Sequence, residues 1–255
     1  MVKGVLLDLA GVLYEDDSAV AGAVEAVARL RAAGLPVRFL TNSTRRPRRA
    51  ILARLARLGF DVSPDELFTP AGAACAVLAD RGLAPHLLIH PDLAEDFAGC
   101  GGAGPGRAVV IGDAGPHFAF DTLNAAFRVL DEGADFLALA ANRTFRDADG
   151  RRSMDAGAFV AALEYATNRK AEVLGKPAPG YFKLALASMR VAAADAVMVG
   201  DDAEADVAGA LEAGLGAAVL VRTGKYVAGD EVRVAPPPSA TVDDLAAAVA
   251  WILSL

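Results

Sequence analysis

The chain has 255 residues, 54% of them hydrophobic and 22% charged, and a formal net charge of −7. This length allows one large domain, or a core with a smaller second domain. The acidic balance argues against a nucleic-acid-binding protein, because binding by phosphate neutralisation needs a concentrated basic face. No uninterrupted apolar stretch could span a bilayer and no signal peptide precedes the first strand-like segment, so we expect a cytoplasmic protein without a membrane partner.

The cysteine content points in the same direction. Cys75 and Cys100 are the two cysteines of the chain, and neither lies in a CxxC or Cys/His spacing. The sequence therefore predicts neither a disulfide nor a zinc site, which fits a reducing compartment.

The first sixty residues alternate short apolar runs with segments of helical period. Strands are predicted at residues 5–9 and 37–40. Helices are predicted at 19–33 and 46–58, and each is followed by a glycine, the common C-terminal cap. The pattern is typical of βα units on a parallel sheet that is covered on both faces.

The remainder of the chain divides into an insert and a return of the first pattern. Within the insert, strands are predicted at 86–90, 108–111 and 136–140, and helices near 122–130 and 156–166. Beyond it, strands are predicted at 196–199 and 217–221, and helices at 203–213 and 242–253. We therefore predict an α/β fold: a three-layer Rossmann-like core with a mainly parallel sheet (residues 1–78 and 172–255) and an inserted α/β cap domain (79–171).

Polar residues directly after apolar runs are the candidates for chemistry, because open α/β sheets bind ligands at the carboxyl ends of their strands. Asp8 follows the first run, and Gly11 would let the backbone turn beside a bound anion. A carboxylate there can ligate a hard cation with one oxygen and attack phosphorus with the other. Taken alone, the segment is equally a common turn, so its companions decide its meaning.

Two of the companions suit an anion. Thr41 and Asn42 end the second strand and open a helix, so a hydroxyl and backbone amides would meet where the helix dipole favours negative charge. Lys176 follows the apolar run 172–174 and could neutralise both a nucleophile and phosphoryl oxygens. A helix N-cap and an exposed lysine are the ordinary alternatives for these residues.

The third companion suits a cation. Asp201, Asp202 and Asp206 follow the strand 196–199, and closely spaced acids repel one another unless a cation or solvent relieves them. Oxygen ligands of this kind suit Mg²⁺, which usually keeps waters and substrate phosphate in its coordination shell. Stabilisation of a helix N-terminus is the alternative.

Taken together, these groups occur in the order of four known motifs. Asp8 matches the nucleophile motif of the haloacid dehalogenase superfamily, which is mostly phosphatases, and Thr41 matches the second motif. Lys176 matches the third motif and residues 200–202 match the acidic fourth, so the sequence resembles this superfamily over almost its whole length. The long interval between Asn42 and Lys176 leaves room for an inserted domain. In this the sequence resembles the subfamily that has a large α/β cap at that position, which includes nucleotide and sugar phosphatases.

The resemblance implies a mechanism and a set of ligands. Asp8 would attack phosphorus in line and carry it as an aspartyl phosphate, with Lys176 as the second catalytic residue. Six residues would bind the substrate: Asp8, Leu9, Ala10, Thr41, Asn42 and Lys176. Five would form the Mg²⁺ site: Asp8, the Ala10 carbonyl, Asp201, Asp202 and Asp206. Relatives with this cap often pair through it, which implies a homodimer.

Ala10 departs from the family pattern. Most phosphatases of the superfamily have an Asp at this position, two residues after the nucleophile, as general acid and base. Such catalysis contributes about 10² to 10⁴ in rate, so unassisted alkoxide leaving groups would be handled poorly. Phosphohistidine, phospholysine, pyrophosphate and aryl phosphates need less help, because a protonated nitrogen or a low-pKa oxygen leaves more readily. The resemblance, with which Ala10 agrees, implies a Mg²⁺-dependent phosphohydrolase for P–N bonds or inorganic pyrophosphate, acting on small molecules or phosphorylated protein side chains.

Two other functions stay open, and the sequence argues against a third. A broad phosphomonoesterase would use the same residues on nucleotide, sugar or aryl phosphates. A catalytically weak protein would use them to bind a phosphorylated partner. Phosphonoacetaldehyde hydrolases also have Ala at this position, but they need a cap lysine, and this chain has no lysine between Lys3 and Lys170.

Overall fold

The computed structural model describes residues 1–102, 104–146 and 151–255. Its strands are β1 (Gly4–Asp8), β2 (Tyr14–Glu15), β3 (Ser18–Ala19), β4 (Val37–Leu40), β5 (Leu67–Phe68), β6 (Ala84–Leu88), β7 (Arg107–Ile111), β8 (Asp135–Ala138), β9 (Thr144–Arg146), β10 (Arg152–Met154), β11 (Glu172–Val173), β12 (Ala196–Gly200), β13 (Ala217–Val221) and β14 (Ala240–Val242). Its α-helices are α1 (Ala23–Ala32), α2 (Arg48–Arg57), α3 (Pro70–Arg81), α4 (Phe120–Asp131), α5 (Ala156–Thr167), α6 (Pro179–Met189), α7 (Gly209–Glu212), α8 (Asp230–Arg233) and α9 (Leu245–Ile252). Among these residues no helix is both long and apolar enough to cross a membrane.

A six-stranded sheet forms the centre of the first of two compact units, which comprises Met1–Thr41, Arg49–Phe68 and Lys176–Leu255. Its strand order is β14-β13-β12-β1-β4-β5, and every neighbouring pair is parallel. All residues of β1, β12 and β13 are buried. Strands buried on both faces need apolar side chains throughout, which is why they appear in the sequence as continuous apolar runs.

Helices cover both faces of this sheet and give the unit three layers. Helices α1, α2 and α9 bury their apolar side chains in one core with alternate residues of the strands, such as Leu7 and Val199. Helix α6 and the segment 203–212 pack on the opposite face, where Tyr181, Phe182 and Val207 are buried. The predicted α/β class with a mainly parallel sheet is thus confirmed.

The second compact unit comprises Asn42–Arg48 and Thr69–Gly175. It has its own parallel sheet, of strand order β11-β8-β7-β6, and its own core, in which α4 and α5 pack on β7 and β8. The rings of Phe118 and Phe159 stack at 3.7 Å beside this core. The predicted insert, residues 79–171, lies within this unit.

The start of the first helix differs from the prediction of 19–33. Residues 18 and 19 form β3, which pairs antiparallel with β2 in a short hairpin, and the helix begins at Ala23. Gly22 precedes it with φ 73°, a left-handed conformation that cannot belong to a right-handed helix. The predicted helix 46–58 likewise begins later, at Arg48, because Pro47 disfavours helical geometry in the residue before it.

Two predicted helices near the C-terminus are also divided differently. The segment 203–213 is a π-helix (Ala203–Ala208) followed by α7. The segment 242–253 begins with the last residue of β14, and its helix starts at Leu245. Asp244 sets that boundary, since its carboxylate accepts a hydrogen bond from the Ala247 N–H at 2.8 Å.

The absence of a disulfide was predicted wrongly. Cys75 and Cys100 are joined, with their Cα atoms 5.2 Å apart and a sequence separation of 25. Cys75 lies on α3, and the 3₁₀ segment Pro91–Phe97 packs against that helix. This packing brings Cys100 back to Cys75, and no local spacing in the sequence reports it.

Candidate active site

Asp8, Lys176 and Asp206 form a buried charged group at the carboxyl end of the central strand. Asp8 is the last residue of β1. The Lys176 ammonium lies 2.5 Å from Asp8 Oδ1 and 2.6 Å from Asp206 Oδ1, so it bridges the two carboxylates. Lys176 follows β11, which pairs with β8 in the second sheet, and it reaches the group from the loop before α6.

Asp201 adds a third carboxylate. Oxygen atoms of Asp8, Asp201 and Asp206 all lie within 4.8 Å of one another. One oxygen of Asp201, Oδ2, accepts a hydrogen bond from the Lys225 N–H at 2.7 Å, whereas Oδ1 is buried and has no hydrogen-bond partner in the described part of the chain. A buried carboxylate oxygen without a donor is costly unless a cation satisfies it, so these residues fit a divalent metal with oxygen ligands.

The electrostatics of the group also favour an added positive charge. Burial, followed by repulsion from Asp8 and Asp206, raises the pKa of Asp201 to about 8. Burial raises the pKa of Asp206 to about 7, although the Lys176 ammonium opposes this. Burial alone would lower the pKa of Lys176, but attraction to Asp206 and Asp8 outweighs it and raises that pKa, so the lysine stays charged. Lys176 directly neutralises Asp8 and Asp206, and a cation would complete the neutralisation of the three carboxylates.

Asp202 is engaged elsewhere. Its Oδ1 caps the π-helix by accepting from the Glu204 and Ala205 N–H groups, at 3.2 and 2.9 Å, and its Oδ2 lies 3.3 Å from the Lys225 ammonium. Burial opposes ionisation of Asp202, but Lys225 and the Ala205 N–H outweigh it and lower the pKa. Its carboxylate is outside the group of three that could hold a metal.

The backbone after β12 explains how Asp206 reaches the group. The Asp202 N–H donates to Asp206 Oδ2 at 3.1 Å, which ties the first turn of the π-helix to the strand end. A Cβ atom at Gly200 would overlap the Asp206 side chain, so glycine is required there. Gly200 and the π-helical turn thus place Asp206 beneath the carboxyl end of the sheet.

The other predicted substrate residues lie at the neighbouring strand end or after Asp8. Leu40 pairs with Asp8 across β4 and β1, and Thr41 follows it, buried. Leu9 is fully buried, whereas Ala10 is exposed and forms an isolated bridge with Tyr14. Asn42 belongs to the segment that opens the second unit.

Sequence reasoning missed two features of this region. The Tyr181 hydroxyl lies 2.8 Å from the Thr41 carbonyl oxygen and 2.6 Å from that of Phe68, so it fixes the backbone at the end of β4. The residues 223–225 follow β13, and two of them, Gly224 and Lys225, contact Asp201. The rule that located Asp8 and Asp201 would have found this loop, had it been applied to β13.

Comparison with known proteins agrees with the geometry. A family model described as "Haloacid dehalogenase-like hydrolase" matches residues 5–103, and one described as "HAD-hyrolase-like" matches residues 173–248. The chain belongs to the haloacid dehalogenase-like hydrolase family. The family predicted from the four motifs is therefore confirmed.

Individual relatives refine this assignment. The chain is 44% identical to phospholysine phosphohistidine inorganic pyrophosphate phosphatase of Rattus norvegicus, over 99% of this chain and 94% of the relative. It is 45% identical to the rat protein named haloacid dehalogenase-like hydrolase domain-containing protein 2, over 99% and 96%. Glycerol phosphate phosphatase Rv1692 of Mycobacterium tuberculosis, solved in complex with magnesium, is 27% identical with a TM-score of 0.82, over 96% of this chain and 75% of that one. The chain is a phosphatase of the haloacid dehalogenase type.

Proposed function

We propose that this phosphatase depends on Mg²⁺, works through an aspartyl phosphate on Asp8, and hydrolyses P–N bonds, as in phosphohistidine and phospholysine, or inorganic pyrophosphate. The observation that carries the mechanism is a difference in exposure. The Asp8 side chain is 11% exposed, whereas those of Lys176 and Asp206 are 3% and 1% exposed. Asp8 is therefore the carboxylate of this group that a substrate can approach.

The roles of the charged residues follow from their contacts. Lys176 holds one oxygen of Asp8 and would neutralise charge that develops on the transferring phosphoryl group. Asp201 and Asp206, with Asp8, would hold Mg²⁺, and the Ala10 carbonyl is retained as a proposed ligand. The ion would neutralise the phosphoryl oxygens. Asp202 would position Asp206, because the Asp202 N–H donates a hydrogen bond to Asp206 Oδ2.

Ala10 supports the proposed choice of substrate. Its exposed position after the nucleophile has no side chain that could protonate a leaving group. A leaving group that is already protonated, or that is weakly basic, is thus favoured over an alkoxide. The 44% identity to a relative named for phospholysine, phosphohistidine and pyrophosphate agrees with this preference. Phosphorylated small molecules and phosphorylated protein side chains are the proposed partners.

The test is phosphate release with Mg²⁺ from phosphohistidine, phospholysine, pyrophosphate and a sugar phosphate. Wild type is compared with Asp8→Asn, which keeps the shape of the side chain but cannot attack, and with Ala10→Asp, which adds a carboxyl group. We expect the first three substrates to be preferred by at least about tenfold, Asp8→Asn to abolish release, and Ala10→Asp to narrow the preference.

Other outcomes point to specific alternatives. If the sugar phosphate is the best wild-type substrate, the protein is a broad phosphomonoesterase and the leaving-group argument fails. If all four substrates bind without turnover, the protein is a phospho-ligand-binding protein.

For the second unit we propose the predicted role of cap domain. We also retain the predicted cytoplasmic location and the predicted homodimer, and light scattering would check the homodimer.

A further inference from the structure

We propose that the loop of residues 223–225, which follows β13, is the positioning element that aims Asp201 at the metal site. The inference rests on the proposed function, because it assigns the loop a role in Mg²⁺ binding. It also accounts for a segment that the catalytic mechanism leaves unused.

All three residues of this loop make contacts at the carboxyl end of the central strands. The Thr223 hydroxyl donates to the Gly11 carbonyl oxygen. The Gly224 N–H donates to Glu15 Oε1 at 2.6 Å, and the Lys225 N–H donates to Asp201 Oδ2 at 2.7 Å. The loop therefore joins the segment that follows Asp8 to the carboxylate of Asp201.

Two glycines make the approach possible. Gly11 and Gly224 both have positive φ, 81° and 67°, and a Cβ atom on either would overlap the Asp201 carboxylate. A Cβ atom at Gly224 would also lie 2.5 Å from the Gly11 Cα atom. The Asp201 carboxylate thus lies between two backbones that only glycine can bring so close.

The consequence is an asymmetric carboxylate. Contacts with the loop engage Oδ2 of Asp201, whereas Oδ1 has no hydrogen-bond donor in the described ranges. Asp201 is one of the three carboxylates that could hold a metal, so Oδ1 is the oxygen left for the ion. Fixing one oxygen leaves the other with a single direction, so little conformational entropy is lost when a cation binds. Partners that orient a metal ligand in this way typically change metal affinity by about 10- to 100-fold.

The experiment is isothermal titration calorimetry of the full-length protein with Mg²⁺, without substrate. Gly224→Ala should raise the Kd for Mg²⁺ by about tenfold or more, because it displaces Asp201. Gly229→Ala is the matched control: Gly229 also has positive φ, 95°, but a Cβ atom there would meet nothing closer than 3.5 Å. It should share the backbone strain and leave the Kd within about twofold of wild type.

A second pair of variants avoids the risk that Gly224→Ala does not fold. Thr223→Val removes the hydroxyl at nearly constant volume and should weaken Mg²⁺ binding severalfold. Thr223→Ser keeps the hydroxyl and should bind Mg²⁺ with nearly the wild-type Kd.

If the folded variants Gly224→Ala and Thr223→Val bind Mg²⁺ as wild type does, or wild type binds none, the inference is wrong. Phosphate release by wild type, combined with unchanged Mg²⁺ binding in both variants, overturns this inference and leaves the proposed function standing. Weaker binding in both, combined with no phosphate release by wild type, supports the inference and overturns the proposed function.

Discussion

Lys176 and Asp206 form an ion pair at 2.6 Å in which both side chains are almost fully buried. Replacing Lys176 by Met would leave Asp8 and Asp206 without their shared ammonium. Removing one partner of a buried pair costs about 3–5 kcal/mol of stability, and loss of a charge-stabilising donor costs about 10² to 10³ in kcat. Urea unfolding and phosphate release measure the two effects.

Lys183→Met provides the control for this prediction. Lys183 lies on α6, close to Lys176 in sequence, and is exposed. Its replacement should change stability by less than about 0.5 kcal/mol and leave turnover unaltered. A Lys176→Met protein as stable and active as the Lys183→Met protein would contradict the assigned role.

The stability of the metal-free protein should fall as the pH rises. The pKa of Asp201 is raised to about 8 in the folded state, whereas an ordinary Asp titrates near 3.9. Between these values the folded state holds a proton that the unfolded state releases, so this stabilisation is complete at low pH and is lost as the pH passes about 8. We expect Tm in EDTA to decrease between about pH 6 and pH 9, measured by calorimetry.

Mg²⁺ should reverse that trend, because the cation competes with the proton for the same carboxylates. The rise in Tm on adding Mg²⁺ should therefore be larger at about pH 8.5 than at about pH 6. Asp201→Asn should weaken both dependences. A Tm that responds equally to Mg²⁺ at both values would argue that these carboxylates do not bind the metal.

Tyr181→Phe tests the support of the strand end after β4. The hydroxyl lies within hydrogen-bond distance of the carbonyl oxygens of Thr41 and Phe68, and its loss removes this support from both. We expect a loss of about 0.5–1.5 kcal/mol in stability and a higher KM for phosphorylated substrates, since Thr41 would be held less firmly. Tyr165→Phe is the control, because Tyr165 is 92% exposed. Equal effects of the two substitutions would rule out this role for Tyr181.

Arg54 should stabilise the β2–β3 hairpin far more than Arg57 does. The Arg54 guanidinium lies over the Tyr14 ring at 4.2 Å from its centroid and donates to the Asp16 carbonyl oxygen. Both arginines lie 3.6 Å from Asp17 Oδ1, but Arg57 is 67% exposed and Arg54 is 17% exposed. Arg54→Met should therefore cost about 1–2 kcal/mol and speed proteolysis at the hairpin, and Arg57→Met should cost less than about 0.5 kcal/mol. Equal proteolysis rates would contradict this difference.

The core of the site could be predicted because its strands are buried on both faces. Such strands are continuous apolar runs in the sequence, and Asp8 and Asp201 stand where two of those runs end. Lys176 stands likewise after the apolar run 172–174, although that strand belongs to the other sheet. The difference between Asp202 and Asp206 needed the structure, because a π-helical turn decides which carboxylate faces Lys176.

The missed elements had weak local signals. Strands β2 and β3 have two residues each, too few for a period to be visible, and Gly22 marks the true helix start only through its positive φ. The pairing of Cys75 with Cys100 depends on packing between segments distant in sequence. Interactions of this kind arise from tertiary structure, and intrinsic propensity does not encode them.

The central position of β1 also determines when the protein can become active during its synthesis. Gly4 pairs with Ala196, so β1 acquires one of its two neighbours only after most of the chain has left the ribosome. At roughly 5–20 residues per second, Asp8 waits on the order of ten seconds or more for Asp201 and Asp206 to be made. A nascent chain that ends before β12 exposes an apolar strand edge and lacks two of the three clustered carboxylates, which makes it a natural client for a chaperone.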